Sequence, residues 1–343
     1  TVALPDGGCR TLSADVFLIA TGSSPWHPPG IPFEDEDVDD SDTVLGLDCL
    51  PEHFVVMGGG VIGSEYASLF AALGIGKVTL VERRDRLLRF LDDEVSDALT
   101  EAFRHIGIEV ILSDEIVDYG HPDDEPGVVV TLKSGVQLEA DRLLIAAGRS
   151  SNTDKLNLEA IGVKLGQRGK VVVDEHYQST VPHIYAAGDI VGFPSLAATS
   201  MEQGRVAMCH AFGFEYKDRL DPHFPYGLYT IPEVSYCGLT EAQAREQHPD
   251  VEVGRAYYRD NARGQIVNDP EGFMKLVFDA KSKEIYGVHI LGDRATELVH
   301  IGQAVMKLGG TIDYFIDGVF NYPTLSEVYK YAAYDGLDRL SKR

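Results

Sequence analysis

The chain is poor in cysteine, in basic side chains and in long apolar runs, and each shortage excludes a class of protein. Four cysteines in 343 residues, Cys9, Cys49, Cys209 and Cys237, stand far apart and form no C-x-x-C pair. That excludes a disulfide framework, a local redox dithiol and a zinc knuckle, and predicts a cytoplasmic protein with reduced thiols and no metal. Lys and Arg number 30 against 54 Asp and Glu, a formal net charge of −24. A surface this negative repels phosphate backbones and anionic lipid, which argues against nucleic acid or membrane as partner. Small anions stay within reach, because helix ends and local arginines hold them against the global field. No apolar run approaches the ~18 residues of a membrane span, and no basic-then-apolar leader opens the sequence. Fixed-period repeats and low-complexity tracts are absent too.

What is present reads as alternating strands and helices. Residues 14–26 (ADVFLIATGSSPW) are an apolar run ending in Thr-Gly-Ser, a buried strand opening into a ligand-facing turn. Residues 28–42, rich in Pro and acid, read as a solvated surface segment. Next come a strand, a glycine cluster and a helix (53–74), a second strand (77–82) and a helix over 92–106. Asp92 or Asp93 caps that helix, Val95, Leu99, Ala102 and Ile106 recur at helical spacing, and Gly107 stops it. A strand at 108–114 follows, then a hairpin turning at Lys133-Ser134-Gly135 and an apolar strand ending at Gly148. The order is that of a doubly wound α/β nucleotide-binding unit with an inserted β-meander. Residues 169–190 predict two more strands with Asp189 at the mouth of the second, and 195–213 a helix. From about Pro222 short alternating strands (251–260, 272–280, 284–292) and two helices (295–308, 324–340) predict an α+β module on an antiparallel sheet.

The chemistry concentrates at Gly58-x-Gly60-x-x-Gly63, which follows the strand FVVM and opens a helix. Gly58 permits the tight turn, Gly60 lets the backbone approach a pyrophosphate, and Gly63 lets helix and strand pack closely. Glu82 ends the next strand, where a carboxylate accepts hydrogen bonds from an adenosine ribose and favours NAD. Arg83, Arg84, Arg86 and Arg89 follow at once, and guanidinium groups are the natural partners of the 2′-phosphate of NADP. As a cluster they predict use of both nucleotides; singly, each also reads as a surface charge paired with a neighbouring acid. Glu65, two residues past Gly63 in the first helical turn, reads either as a nicotinamide-facing group or as a favourable charge at a helix start.

Taken together, ATG (20–22), GGGVIGSEYASLF (58–70), AAGRSSNTD (146–154), HIYAAGD (183–189) and YTIPEVSYCGLTEAQA (229–244) make the chain resemble the flavoprotein disulfide reductase family, which includes lipoamide dehydrogenase and glutathione reductase. The resemblance covers nearly the whole sequence. It implies FAD as well as NAD or NADP. Thr21, Gly22 and Ser23 would close over the flavin, Asp189 would bond its ribityl chain, and Ser195, Leu196, Ala197 and Ala198 would pass beside it, with Gly148 also at the cofactor. The implied domains are an FAD-domain remnant (1–24), an NAD(P)-binding domain (25–150), a returning FAD or central segment (151–221) and a dimerisation domain (222–343) that makes the protein a homodimer.

Within the family, FNYPTLSEVYKYAAYDGLDRL (320–340) and two further stretches are similar to the branch that moves hydride from NADPH to NAD+ through FAD. Disulfide reductases carry a His at or beside Asn321, oriented by the equivalent of Glu327. A hydride carrier protonates no thiol and needs no such base, so no side chain is expected to be catalytic. Family members begin with an FAD-binding strand, their own glycine fingerprint and a redox-cysteine segment, none of which is in this sequence. The expectation is that the adenine half of the FAD site lies outside the chain and that the strand 16–20 exposes apolar surface. Two alternatives stand beside hydride transfer: a flavin-free nucleotide-binding and dimerisation fragment, and a lipoamide-dehydrogenase-like disulfide reductase.

Overall fold

Five β-runs between positions 38 and 145 pair as one parallel sheet. Its strand order is Val38–Asp39, Arg142–Ile145, His53–Met57, Lys77–Glu82, Ile108–Leu112. The computed structural model that shows this describes residues 1–122 and 126–342. The chain divides into two compact units, one of Thr1–Trp26 with Gly148–Asp221, the other of His27–Ala147 with Pro222–Arg343.

In the second unit the parallel sheet is covered on both faces, as its unbroken apolar strands require. Phe54, Val55, Val56, Leu80, Leu143 and Leu144 are fully buried. Helices α1 (Val61–Ala72) and α2 (Asp93–His105) pack against the sheet. An antiparallel meander (Ile116–Gly120, Val128–Leu132, Gln137–Ala140) turns Val128, Val130 and Leu132 onto it at a period of two. Asp92 caps α2 by accepting from the Glu94 N–H at 3.2 Å, and Gly107 ends it at φ +91°. Two expectations need correction. The acidic segment 28–42 is not all surface: Val38–Asp39 joins the sheet edge, and Asp39 and Asp40 are buried near Arg142 and His27. Ile106 does not extend the apolar face of α2 but caps its end and is exposed; Phe103 is the buried residue.

The rest of this unit is a five-stranded antiparallel sheet, ordered Tyr226–Leu228, Val234–Gly238, Ile285–Leu291, Phe273–Asp279, Val251–Tyr257. Helices Ala295–Lys307 and Val328–Ser341 pack on it around Phe278, Phe315 and Tyr329. The second helix lies so close that a Cβ at Gly254 would stand 2.0 Å from the Ala332 carbonyl oxygen. Alternating strands normally leave one sheet face to solvent. Here both faces are covered, and the polar positions Lys275, His289 and Glu252 are buried.

The first unit holds a parallel pair, Phe17–Ile19 with Ile184–Ala186, and an antiparallel pair, Ser23–Pro25 with Arg149–Ser151. Its core is Leu158, Val163, Val171, Ile184, Ala186 and Ile190, and helix Ala197–Phe212 completes it. Phe17 and Leu18 are exposed, the open apolar surface expected of that strand. Of the two strands expected over 169–190 only the second forms. The first is reduced to isolated bridges at Val171 and Val173, because Asp174 bends the chain by accepting N–H groups of His176 and Gln178.

Candidate nucleotide-binding site

The strand His53–Met57 delivers the chain into the turn 58–60 and helix α1, where Gly58, Gly60 and Gly63 meet three different demands. Gly58 sits at φ +111°, and a Cβ there would be 2.6 Å from the Ala146 carbonyl oxygen. At Gly63 a Cβ would fall 1.8 Å from the Gly58 oxygen, so α1 packs on the turn with no room for a side chain. Gly60 differs from both. It caps α1 at φ −80° and ψ −173°, conformationally open to any residue, and a Cβ there meets nothing within 4 Å. No side chain caps α1. Its uncapped first turn and the open space beside Gly60 suit an anion, through the backbone donors and the helix dipole.

Glu82 lies beside this turn, buried, with both oxygens engaged: Oε2 accepts from the Gly59 N–H at 2.7 Å and Oε1 from the Arg84 N–H at 2.9 Å. These bonds hold the carboxylate at the edge of the turn with lone pairs still available. The four arginines that follow separate. Arg86 is fixed by Asp93 at 2.8 Å and Asp97 at 2.7 Å, and Arg89 lies 3.7 Å from Asp85. Arg83 and Arg84 are exposed and, among the described residues, neither has an ion pair within 4 Å.

Glu65 needs a correction. Because α1 begins at Val61, Glu65 lies beyond the first turn rather than in it. Its Oε1 accepts from the Tyr229 N–H at 2.9 Å, and burial holds its carboxyl above the ordinary range. Ser68, three residues further along the same face, accepts from the Ile231 N–H at 3.2 Å. The outer face of α1 thus carries the segment 229–231 of the antiparallel module.

In the first unit the structure brings Thr21, Gly22 and Ser23 to Asp189. Ser23 Oγ donates to Asp189 Oδ2 at 2.8 Å, and Gly22 turns at φ +70° with open space where a Cβ would be. Two residues the sequence reading passed over organise this corner. Arg149 donates to Ser23 Oγ and to its carbonyl oxygen, both at 2.7 Å; Asn152 donates to the Thr21 carbonyl at 3.0 Å and accepts from Ser24 at 2.8 Å. Both lie within the AAGRSSNTD stretch, whose spacing alone does not say which polar side chains reach back to residues 21–24. Gly148 is at φ +117°, and a Cβ there would strike Arg168, whose guanidinium lies over Trp26. Ser195, Ala197 and Ala198 are exposed at the start of helix Ala197–Phe212, with Leu196 at its cap and no side-chain capping bond. Gln203 accepts from the Gly188 N–H at 2.7 Å, while its buried Nε2 has no partner.

At the opposite end of the chain, Glu327 accepts from the Thr324 N–H at 3.4 Å in a capping box, and the Asn321 carbonyl accepts from Thr324 Oγ1 at 2.7 Å. Both serve the start of helix Val328–Ser341. Elsewhere Asp35, Asp37 and His121 bring one donor atom each within 4.8 Å of one another, a set the sequence did not single out. His121 and Asp35 are 2.8 Å apart as an ion pair when the ring is protonated.

Comparisons with known proteins identify the relatives of the chain. Residues 1–204 match the pyridine nucleotide-disulphide oxidoreductase family model, and 224–333 match the dimerisation domain of the same family. The chain is 49% identical over 332 residues to the soluble pyridine nucleotide transhydrogenase of Mycobacterium bovis, covering 96% of this chain and 70% of that protein. It is 47% identical to the Aliivibrio fischeri protein of the same name, covering 99% and 72%. Among solved structures it resembles the HOCl-induced flavoprotein disulfide reductase RclA of Escherichia coli at a TM-score of 0.87 and 31% identity, covering 93% of this chain and 73% of that one. LpdA of Mycobacterium tuberculosis gives 0.86 at 28% identity, with 96% and 71% covered.

Proposed function

The chain belongs to the pyridine nucleotide-disulphide oxidoreductase family, and from that premise we propose that it serves hydride transfer from NADPH to NAD+, yielding NADP+ and NADH. The observation that carries the reading is the uncapped start of α1 behind Gly60, flanked by the oriented Glu82 and the unpaired Arg83 and Arg84. The backbone N–H groups of α1 hold the pyrophosphate. Glu82 accepts from the ribose hydroxyls of NADH, and Arg83 and Arg84 take the 2′-phosphate of NADPH, so one site receives both nucleotides in turn. Glu65, half-buried on α1, orients the nicotinamide end.

FAD, when bound, supplies the two-electron carrier between the nucleotides. Asp189, held by Ser23, would bond its ribityl chain, with Thr21 and Gly22 above it and Ser195 to Ala198 alongside. The open space at Gly22 and the orphaned amide of Gln203 in the same unit fit a cofactor there. Hydride transfer needs no general acid or base. Asn321 carries no titratable group, and Glu327 is occupied in a helix cap, which favours this reading over disulfide reduction. We assign residues 1–24 and 151–221 to the FAD domain, 25–150 to the nucleotide domain and 222–343 to dimerisation, and place the homodimer in the cytoplasm. No described helix is long and apolar enough to cross a membrane.

The test is the visible absorption spectrum of the purified chain after incubation with FAD, then with NADPH under nitrogen. Flavin absorbance that bleaches and recovers on adding an NAD+ analogue supports the proposal. A chain that retains no flavin but binds NADPH is a nucleotide-binding and dimerisation fragment instead.

A further inference from the structure

A buried charge cluster lies outside that site. Lys275, on strand Phe273–Asp279, is 2% exposed. Its Nζ is 2.7 Å from Asp92, 2.8 Å from Glu241 and 3.1 Å from Glu94. Arg255, on the adjacent strand, adds a contact to Glu94 at 2.7 Å and one to Glu241 at 3.8 Å. Asp92 also accepts from the Glu241 N–H at 3.0 Å. Lys275, Arg255 and Glu241 belong to the antiparallel module, whereas Asp92 and Glu94 begin α2 beside the parallel sheet.

A buried ion cluster is a poor device for stability alone, because desolvation consumes most of the Coulombic gain. What it does well is fix one geometry. The geometry fixed here is the start of α2, directly after the segment 82–91 that carries Glu82, Arg83 and Arg84. That segment is tied to the glycine turn by the Leu88 N–H to the Gly59 carbonyl at 3.1 Å. It is tied to α2 by Ser96 Oγ to the Leu87 carbonyl at 2.5 Å and by Arg86 to Asp93 and Asp97. The start of α2, the segment 82–91 and the turn are thus joined by one continuous run of bonds, in which the Arg84 N–H also donates to Glu82 and its carbonyl accepts from the Ser113 N–H.

We propose that Lys275 is a positioning residue for nucleotide binding: through Asp92 and Glu94 it holds α2 so that Arg83 and Arg84 reach the adenosine end of the nucleotide. This rests on the nucleotide-binding reading above. The test compares Glu94→Gln with Glu241→Gln in the full chain. Each removes one carboxylate from Lys275, and the two are similarly exposed, 34% and 24%, but only Glu94 lies on the α2 side. NADPH binding, followed by nucleotide fluorescence, should weaken by about fivefold or more in E94Q and stay within about twofold in E241Q. The kcat at saturating nucleotide should be unchanged in both. Lys275→Arg, which keeps the charge, should bind like wild type, and Lys275→Met should bind like E94Q or more weakly. If both carboxylate variants melt earlier yet bind NADPH as wild type does, the cluster is structural only and the inference fails. A wild-type chain that binds no NADPH overturns the nucleotide-binding reading itself, and this inference with it.

Discussion

Alanine at Gly60 and alanine at Gly63 should fail in opposite ways. At Gly63 the new Cβ would stand 1.8 Å from the Gly58 carbonyl oxygen and 3.3 Å from the Ala146 Cβ. An ordinary C···O contact is about 3.3 Å, so α1 must retreat by roughly 1.5 Å or the turn must open. Overpacking of this kind costs about 1–3 kcal/mol. In a unit of this size that lowers Tm by roughly 2–4 °C per kcal/mol. At Gly60 the Cβ meets nothing within 4 Å, and the backbone at φ −80° is one any residue adopts. Stability should therefore change by less than about 1 kcal/mol, the entropic gain of alanine offsetting its poorer capping. The same methyl group, however, stands where a pyrophosphate must approach the N–H groups of α1. NADPH affinity should fall at least about tenfold, or ~1.4 kcal/mol. Differential scanning calorimetry and a fluorescence titration with NADPH separate the two effects. G60A that binds NADPH like wild type would refute the placement of the phosphate; G63A that melts like wild type would refute the packing argument.

The remaining predictions concern charge and association. Arg84→Glu should raise the Kd for NADPH by about tenfold while changing that for NADH much less, with the difference shrinking as salt is added; equal losses for both nucleotides would remove Arg84 from 2′-phosphate recognition. Glu65→Gln keeps an acceptor for the Tyr229 N–H but removes a buried charge, so Tm should hold or rise while hydride transfer slows. Burial works against ionised Glu94, but Arg255 and Lys275 outweigh it and hold its carboxyl below the ordinary range; Glu241 is held down by Lys275 and Arg245 in the same way. The resulting stability is present above the unfolded glutamate value of about 4.3. It is lost as pH falls through the lower folded values, so acid unfolding should steepen below about pH 4 and flatten in E94Q. Val319 and Tyr322, 97% and 73% exposed, lie in the segment proposed to dimerise; if they form part of its interface, Val319→Asp with Tyr322→Ala should convert dimer to monomer by light scattering, and an unchanged mass would exclude them.

Residue type at fixed spacing was enough wherever the constraint is local. The strand–turn–helix at 53–72 is marked by Gly58, which takes a positive φ, and by Gly63, whose close approach to the Gly58 carbonyl oxygen leaves no room for a side chain; the second of these demands comes from within the motif itself. The cap at Asp92 and the stop at Gly107 are equally local, and both are legible in the sequence. Tertiary structure decided everything that depends on a partner far along the chain. Four arginines of one kind stand between 83 and 89, and only the approach of Asp93 and Asp97 separates the fixed Arg86 from the open Arg83 and Arg84. Seven aromatic residues crowd the last thirty positions, and only the packed helices send Phe315 and Tyr329 inward while leaving Tyr314, Tyr322, Tyr331 and Tyr334 outside. Lys275 interrupts an apolar run, and its partner Asp92 stands at the start of α2, 183 residues earlier. A pattern of period two or 3.6 says which side chains share a face; what covers that face depends on contacts between segments that are distant in sequence.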